Sequence, residues 1–178
     1  MQSCSVESSS ILGASLDLSK ELMDSKGLPV IFCVGESGSG AVFSKMVAEL
    51  LVLKYDVKAY VYGKNKSNIN EKNLSQAISF AENRHRGSKI ILVVSKYVGV
   101  KEEDLIYYGK GKTLIDKKIL GDYSIIVGIN LNRVWGGKKI SLNRLADKTA
   151  KIISTGIEYY KVIKECNKKL EESIVWSV

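Results

Sequence analysis

The sequence predicts an α/β fold: one three-layer, Rossmann-like domain around a mostly parallel sheet. Three observations carry that prediction. The apolar runs LPVIFCV (28–34), KIILVV (89–94) and YSIIVGI (123–129) are continuous rather than alternating, as in strands buried on both faces. Helical periodicity fills the intervals, so strand and helix alternate along the chain. No linker divides the 178 residues, and there is one proline, Pro29, where average composition would supply about nine. A single domain over 1–178 follows, with its core over about 11–155 and a C-terminal helix over about 157–172.

The elements follow in order. Residues 11–26 place Leu12, Leu16 and Met23 near one face of a helix that Gly27 stops. Strand one is 28–34, closed by Gly35. Phe43, Met46, Val47, Leu50 and Leu53 then recur at helical spacing within 41–54. Residues 57–63 (VKAYVYG) read as a second strand, and 71–84 as a helix aligning Leu74, Ile78 and Ala81. Strands over 89–94 and 123–129 follow. Between them, DLIYY (104–108) reads as a short strand and TLIDKKIL (113–120) as a helix ended by Gly121. Residues 142–170 show helical periodicity twice, broken at Gly156, and 149–154 could equally form an edge strand.

Composition bounds the chemistry. The chain is 45% apolar, enough for a packed core. One histidine, His85, excludes three-histidine zinc sites, HExxH helices and two-histidine iron triads. Cys4, Cys33 and Cys166 are odd in number and far apart, which fits a reducing cytoplasm rather than a disulfide framework. The opening MQSCSVESSS lacks a signal-peptide pattern, and no apolar run is long enough for a membrane span. The net charge of +8 is uneven: −3 over 1–57, +11 over 58–151 and zero over 152–178. Such a bias attracts phosphates, nucleotides or nucleic acid.

The sharpest local feature is Gly35-Glu36-Ser37-Gly38-Ser39-Gly40, between a buried strand and an amphipathic helix. There, glycines let backbone amides approach an anion at a helix N-terminus, and Ser37 and Ser39 add donors. The plain alternative is a tight turn with no ligand. The motif is neither a P-loop, since no Gly-Lys-Ser/Thr closes it, nor a GxGxxG fingerprint. Asn130 and Asn132 lie past the fourth strand, where their amides could meet a ribose or base edge or simply shape a turn. Gly111-Lys112-Thr113 imitates a P-loop ending, but position 106 is Ile106, which leaves a basic loop carrying Lys110 and Lys112. Arg84 and Arg86 suit a helix C-terminus. With Lys110, Lys112, Lys138 and Lys139 they also form a candidate anion or nucleic-acid surface. Glu102, Glu103 and Asp104 read as a solvated turn, and His85 as a surface residue.

The leading helix ILGASLDLSKELM, VIFCVGESGSG, KIILVVSKYVGV, SIIVGINLNRVWGG and LADKTAKII stand at intervals that resemble the YjeF N-terminal domain. This is the fold of NAD(P)H-hydrate epimerases and of decapping enhancers. The resemblance implies a pocket for a nucleotide or other phosphate-bearing small molecule, with an NAD(P)-type nucleotide as ligand. It implies no catalytic residue: Val94 and Ser95 stand where epimerases carry an aspartate, and Leu131-Asn132-Arg133 where they carry Pro-Ser-Gly. The decapping branch implies instead self-association into a homo-oligomer and RNA binding through the basic surface. VIFCVGESGSGAVFSKMVAELL with AYVYG is also similar to the first half of a SIS sugar-phosphate isomerase domain, although VVSKYVG does not supply that family's second serine-rich loop.

Overall fold

The computed structural model describes residues 2–4, 8–35, 38–63, 69–97, 106–110, 113–115, 118–129 and 142–175. The elements run β1 (Gln2–Cys4), α1 (Ser8–Glu21) with a single 3-10 turn at Leu22–Asp24, β2 (Val30–Val34), α2 (Ser39–Leu53), β3 (Tyr60–Tyr62) and α3 (Glu71–Arg84). They continue with β4 (Ile90–Tyr97), β5 (Ile106–Lys110), β6 (Thr113–Ile115), β7 (Lys118–Leu120), β8 (Tyr123–Ile129) and α4 (Leu142–Val175). Six strands form one sheet in the order β1-β5-β8-β4-β2-β3. Its centre is parallel: Val30 pairs with Ile90, Val34 with Val94, Val30 with Tyr60, and Ile91 with Tyr123. Toward the far edge β5 runs antiparallel to β8, and β1, antiparallel to β5, regains the direction of the central strands. The predicted α/β class and mostly parallel sheet are what the chain builds.

Period-two alternation divides the core. Ile31, Cys33, Ile91 and Val93 face a cluster with Leu18, Phe43, Val47, Leu51, Ile153 and Ile157, from α1, α2 and α4. Val30, Phe32, Val34, Ile90, Leu92 and Val94 face Leu74, Ile78 and Ala81 of α3. Helices therefore cover both faces, which is why the strand sequences are apolar throughout rather than alternating. Helix α3 starts where the sequence predicts. Asn70 accepts from the Lys72 amide at 3.0 Å while Asn73 Oδ1 accepts from the Asn70 amide at 2.9 Å, a reciprocal cap worth about 1 kcal/mol.

Four predicted details give way. In α1 the buried apolar residues are Ala14 and Leu18, followed by Leu22 in the 3-10 turn, whereas Leu12 and Leu16 stand 48% and 41% exposed. The buried face is thus turned from the one predicted, because α4 packs on the side that carries Ser15 and Leu18. Residues 113–120 hold the short strands β6 and β7, paired Thr113 to Leu120, instead of a helix. An eight-residue stretch offers only two turns of helical pattern, and pairing decides it. Helix α4 runs unbroken through Gly156, and 149–154 are helical. Gly156 is kept by contact: a Cβ there would lie 2.9 Å from Leu18 Cδ2 and 3.0 Å from the Ser15 carbonyl oxygen. The Ser15 hydroxyl donates to the Ile152 carbonyl at 3.0 Å across the same crossing. Close approach of α1 and α4 offsets the roughly 1 kcal/mol that glycine costs inside a helix. Finally, β1 lies within the residues read only for a signal peptide.

Candidate functional site

From β2 the chain crosses through α2 to β3 on one side, then through α3 to β4 on the other. The direction of winding reverses between β2 and β4, and open α/β sheets hold ligands at the C-terminal ends of the strands at such a point. Here those ends are Val34–Gly35 and Val94–Ser95, with the start of α2 above them.

The strand end and helix start are in close contact. A Cβ on Gly35 would lie 2.4 Å from the Gly40 carbonyl oxygen and 2.8 Å from Ala41 Cα, so only glycine fits. The Gly35 amide donates to the Ile69 carbonyl at 3.1 Å. Gly38 adopts φ +68° as the N-cap of α2, the left-handed region that glycine enters without strain. Two buried serines tie the junction together. Ser44 donates from its hydroxyl to the Val34 carbonyl at 2.8 Å, and Ser95 to the Gly40 carbonyl at 3.2 Å. Beneath the loop, no water-sized space remains among Cys33, Gly35, Ala41, Ser44, Gly63 and Ile69. Each such buried hydroxyl bond is worth about 1 kcal/mol, and both spend the donor on the backbone.

Cys33, buried at the end of β2, offers no nucleophile. Burial pushes its thiol up to about 12, so it carries its proton at neutral pH. Among the described residues no cluster of histidine, cysteine or carboxylate groups could hold a metal ion.

His85 sits at the other end of the sheet. It closes the C-terminus of α3, its amide donating to the Ala81 carbonyl at 2.7 Å. Its ring stacks on Tyr60 with centroids 3.7 Å apart, and its Nε2 lies 3.0 Å from the Tyr62 hydroxyl. Tyr60 pairs with Val30, the first residue of β2. Tyr62 pairs with Phe32, and the glycine loop begins three residues further on, about 10 Å at the ~3.3 Å rise of a strand. A base must come within hydrogen-bond reach of its nucleophile, and the partners of this imidazole are Tyr60 and Tyr62. His85 is therefore partnered by two tyrosines rather than lying at the surface without a role in the packing.

Of the predicted pocket residues, Gly35, Gly38, Ser39 and Gly40 are brought together at the β2–α2 junction. Glu36, Ser37, Asn130 and Asn132 lie outside the described residues, as do Lys112, Lys138 and Lys139. Arg84 and Arg86 are exposed near the opposite edge, Arg84 with its guanidinium 6.0 Å from the Phe80 ring centre. Lys110 is not an uncommitted cation: its ammonium lies 3.3 Å from Glu21. Glu21 also lies 3.5 Å from Lys89, which Asp122 holds at 3.2 Å. For Lys89, burial disfavours the charge, but Asp122 and Glu21 outweigh it and raise the ammonium above its ordinary range. Ser44 and Ser95 escaped the site predicted from sequence. The signal for Ser44 is a hydroxyl on the apolar side of an amphipathic helix, and for Ser95 a hydroxyl closing the apolar run Val93-Val94, at a position the resemblance touches only as a missing aspartate.

Residues 27–144 match the family model described as Lipase (class 2), about two-thirds of the chain. The match spans β2 through β8 and reaches the first turn of α4, so all four parallel strands lie within it. No curated protein and no solved structure matches the chain. The family match overturns both resemblances, to the YjeF N-terminal domain and to the SIS domain. With them go the NAD(P)-type ligand, the nucleotide-binding pocket and the decapping-type assembly module. The physical source of the error is plain: strand, glycine turn and helix at these intervals are demanded by any doubly wound sheet, so spacing reports fold and not family.

Proposed function

The chain belongs to the class 2 lipase family, and from that premise we propose that it is a lipase-like hydrolase acting on carboxylic esters at the C-terminal edge of its parallel sheet. The observation that carries this reading is where the matched segment lies. Its glycine turn after β2 stands at the switch point, where hydrolases of α/β type aim loop amides at the oxygen of a tetrahedral intermediate. Ser37 and Ser39 of that turn are the nucleophile candidates.

Residues 1–178 do not spell a Ser–acid–His triad in the order of α/β-hydrolases. No Gly-x-Ser-x-Gly occurs in residues 1–178, and no histidine follows His85. His85 itself is held against Tyr60 and Tyr62 near the opposite edge. Nucleophilic serines paired with a lysine base are a known departure from the triad, and Lys96, one residue past Ser95, is the lysine at the end of β4.

Hydrolysis of p-nitrophenyl butyrate and labelling by a fluorophosphonate probe test the proposal. The wild-type chain is expected to do both, and His85→Ala to keep both. Ser37→Ala or Ser39→Ala is expected to abolish labelling. Absence of both turnover and labelling in the wild-type chain would overturn hydrolysis.

A further inference from the structure

At the N-terminal edge of the parallel strands, Gly27, Leu28, Pro29, Lys58, Tyr160, Lys161, Lys164 and Glu165 enclose a cleft of about 340 Å³. That volume is within the range of small-molecule sites. Its floor is apolar: Leu28, which leaves 44% of its surface exposed, Pro29 and the ring of the buried Tyr160. Its rim is cationic. We propose that this cleft binds an amphiphilic carboxylate, with the anionic head on the three lysines and a short hydrocarbon or aromatic body on Leu28, Pro29 and Tyr160.

Two features set the charge of the ligand. The Lys164 ammonium is anchored by neutral oxygens, donating to the Tyr160 hydroxyl at 2.8 Å and to the Ser25 carbonyl at 3.1 Å. These bonds use two of its three hydrogens and fix its position without cancelling its charge. Tyr160 is fixed in turn, donating to the same Ser25 carbonyl at 3.2 Å. Lys58 pairs with Asp56 at 2.8 Å, and Lys161 adds to the field that lowers the Asp56 carboxyl, after the Lys58 hydrogen bond and charge. The lining holds three lysines and one carboxylate, Glu165, and Asp56 beside it pairs with Lys58, leaving one positive charge in surplus. A monoanion is matched by that surplus, and the apolar floor requires more than a bare inorganic ion.

The frame around the cleft is rigid on three sides. The Tyr60 amide donates to the Pro29 carbonyl at 2.9 Å, which joins the loop before β2 to the loop before β3. Asp56 sits at φ +42°, the left-handed region, so the turn that presents Lys58 is tightly specified. Helix α4 supplies the third wall through Tyr160, Lys161 and Lys164. The site is independent of ester cleavage, which the opposite edge would perform.

Calorimetric titration of the full chain with octanoate tests the inference. Octanol, octyltrimethylammonium and inorganic phosphate serve as the uncharged, opposite-charge and body-less arms. Octanoate is expected to bind saturably and to be preferred over all three by about fivefold or more. Lys161→Gln should weaken octanoate about fivefold without touching octanol, and Leu28→Ser should weaken octanoate and octanol together. Both residues are partly exposed, so both variants should fold. Failure of octanoate to bind, affinity unchanged in both variants, or equal affinity for octanol or the cation would each overturn the assignment. Turnover of p-nitrophenyl butyrate by Lys161→Gln at the wild-type rate keeps this result separable from any failure of the hydrolase reading.

Discussion

The two edges of the parallel sheet use polar groups in opposite ways. At the C-terminal edge, Ser44 and Ser95 donate to the carbonyls of Val34 and Gly40, and Gly35 admits α2 within contact distance of the strand. The junction is welded by neutral, buried hydrogen bonds. At the N-terminal edge the polar groups are charged and half-wet: Lys89 among Glu21 and Asp122, Lys58 with Asp56, Lys164 over Tyr160. The imidazole is also nearer this second edge. The proposed nucleophiles belong to the first edge and the histidine to the second, so family membership and catalytic machinery have to be argued separately in this chain.

The steepest way to break the contrast is a methyl group. Gly35→Ala drives a Cβ into the backbone of Gly40 and should cost about 3 kcal/mol in urea unfolding. Gly27→Ala, at the other edge, meets only the Ser88 hydroxyl at 2.8 Å and should stay within about 0.5 kcal/mol. Equal costs would show that the two edges are packed alike.

Ser95→Ala comes next. It leaves the buried hydrogen bond to Gly40 unmade, and a loss of about 1.5 kcal/mol is expected from the same measurement. An unchanged midpoint would mean that the hydroxyl does not hold α2 to β4.

A smaller effect sharpens the electrostatic side. Asp147 receives the Lys54 ammonium at 2.6 Å and the Tyr55 hydroxyl at 2.9 Å, and both hold its carboxyl below the ordinary range against the opposing effect of burial. Its folded value is depressed, so its contribution is present above the unfolded value near 3.9 and is lost as pH falls through the folded one. Asp147→Asn should therefore cost about 1 kcal/mol or less at neutral pH, and the difference from wild type should shrink in acid. A difference that grew in acid would contradict the pairing.

Thiol chemistry gives the smallest change in stability and a clean readout. Iodoacetamide at neutral pH should modify exposed Cys166 while Cys33, buried and protonated, stays unlabelled until the chain is denatured. Rapid labelling of Cys33 in the folded chain would show that the β2 end opens.

Much of the framework was legible in the residues. The uninterrupted runs at 30–34 and 90–94 announced strands covered on both faces, and Leu74, Ile78 and Ala81 announced the face of α3. The candidate site was legible as a place and illegible as a chemistry. Gly35–Gly40 marks a strand-to-helix junction in any doubly wound sheet, and a glycine turn that cradles phosphate is spelled much like one that faces an oxyanion. Composition misled in its own way, since Lys110 counts toward a basic middle segment yet is paired with Glu21 from α1.

The sequence by itself determined the fold class, the period of each long element and the exclusion of multi-histidine metal chemistry, because these depend on local pattern and on counts. Tertiary structure alone decided the rest. It set which side of α1 is buried, that Gly156 serves a helix crossing, that 113–120 pair as strands, and that His85 ends far from the glycine turn. Apart from the local pairing of β6 with β7, each of these is a contact between residues distant along the chain, and a one-dimensional pattern carries the propensity to make such a contact but not the partner that completes it.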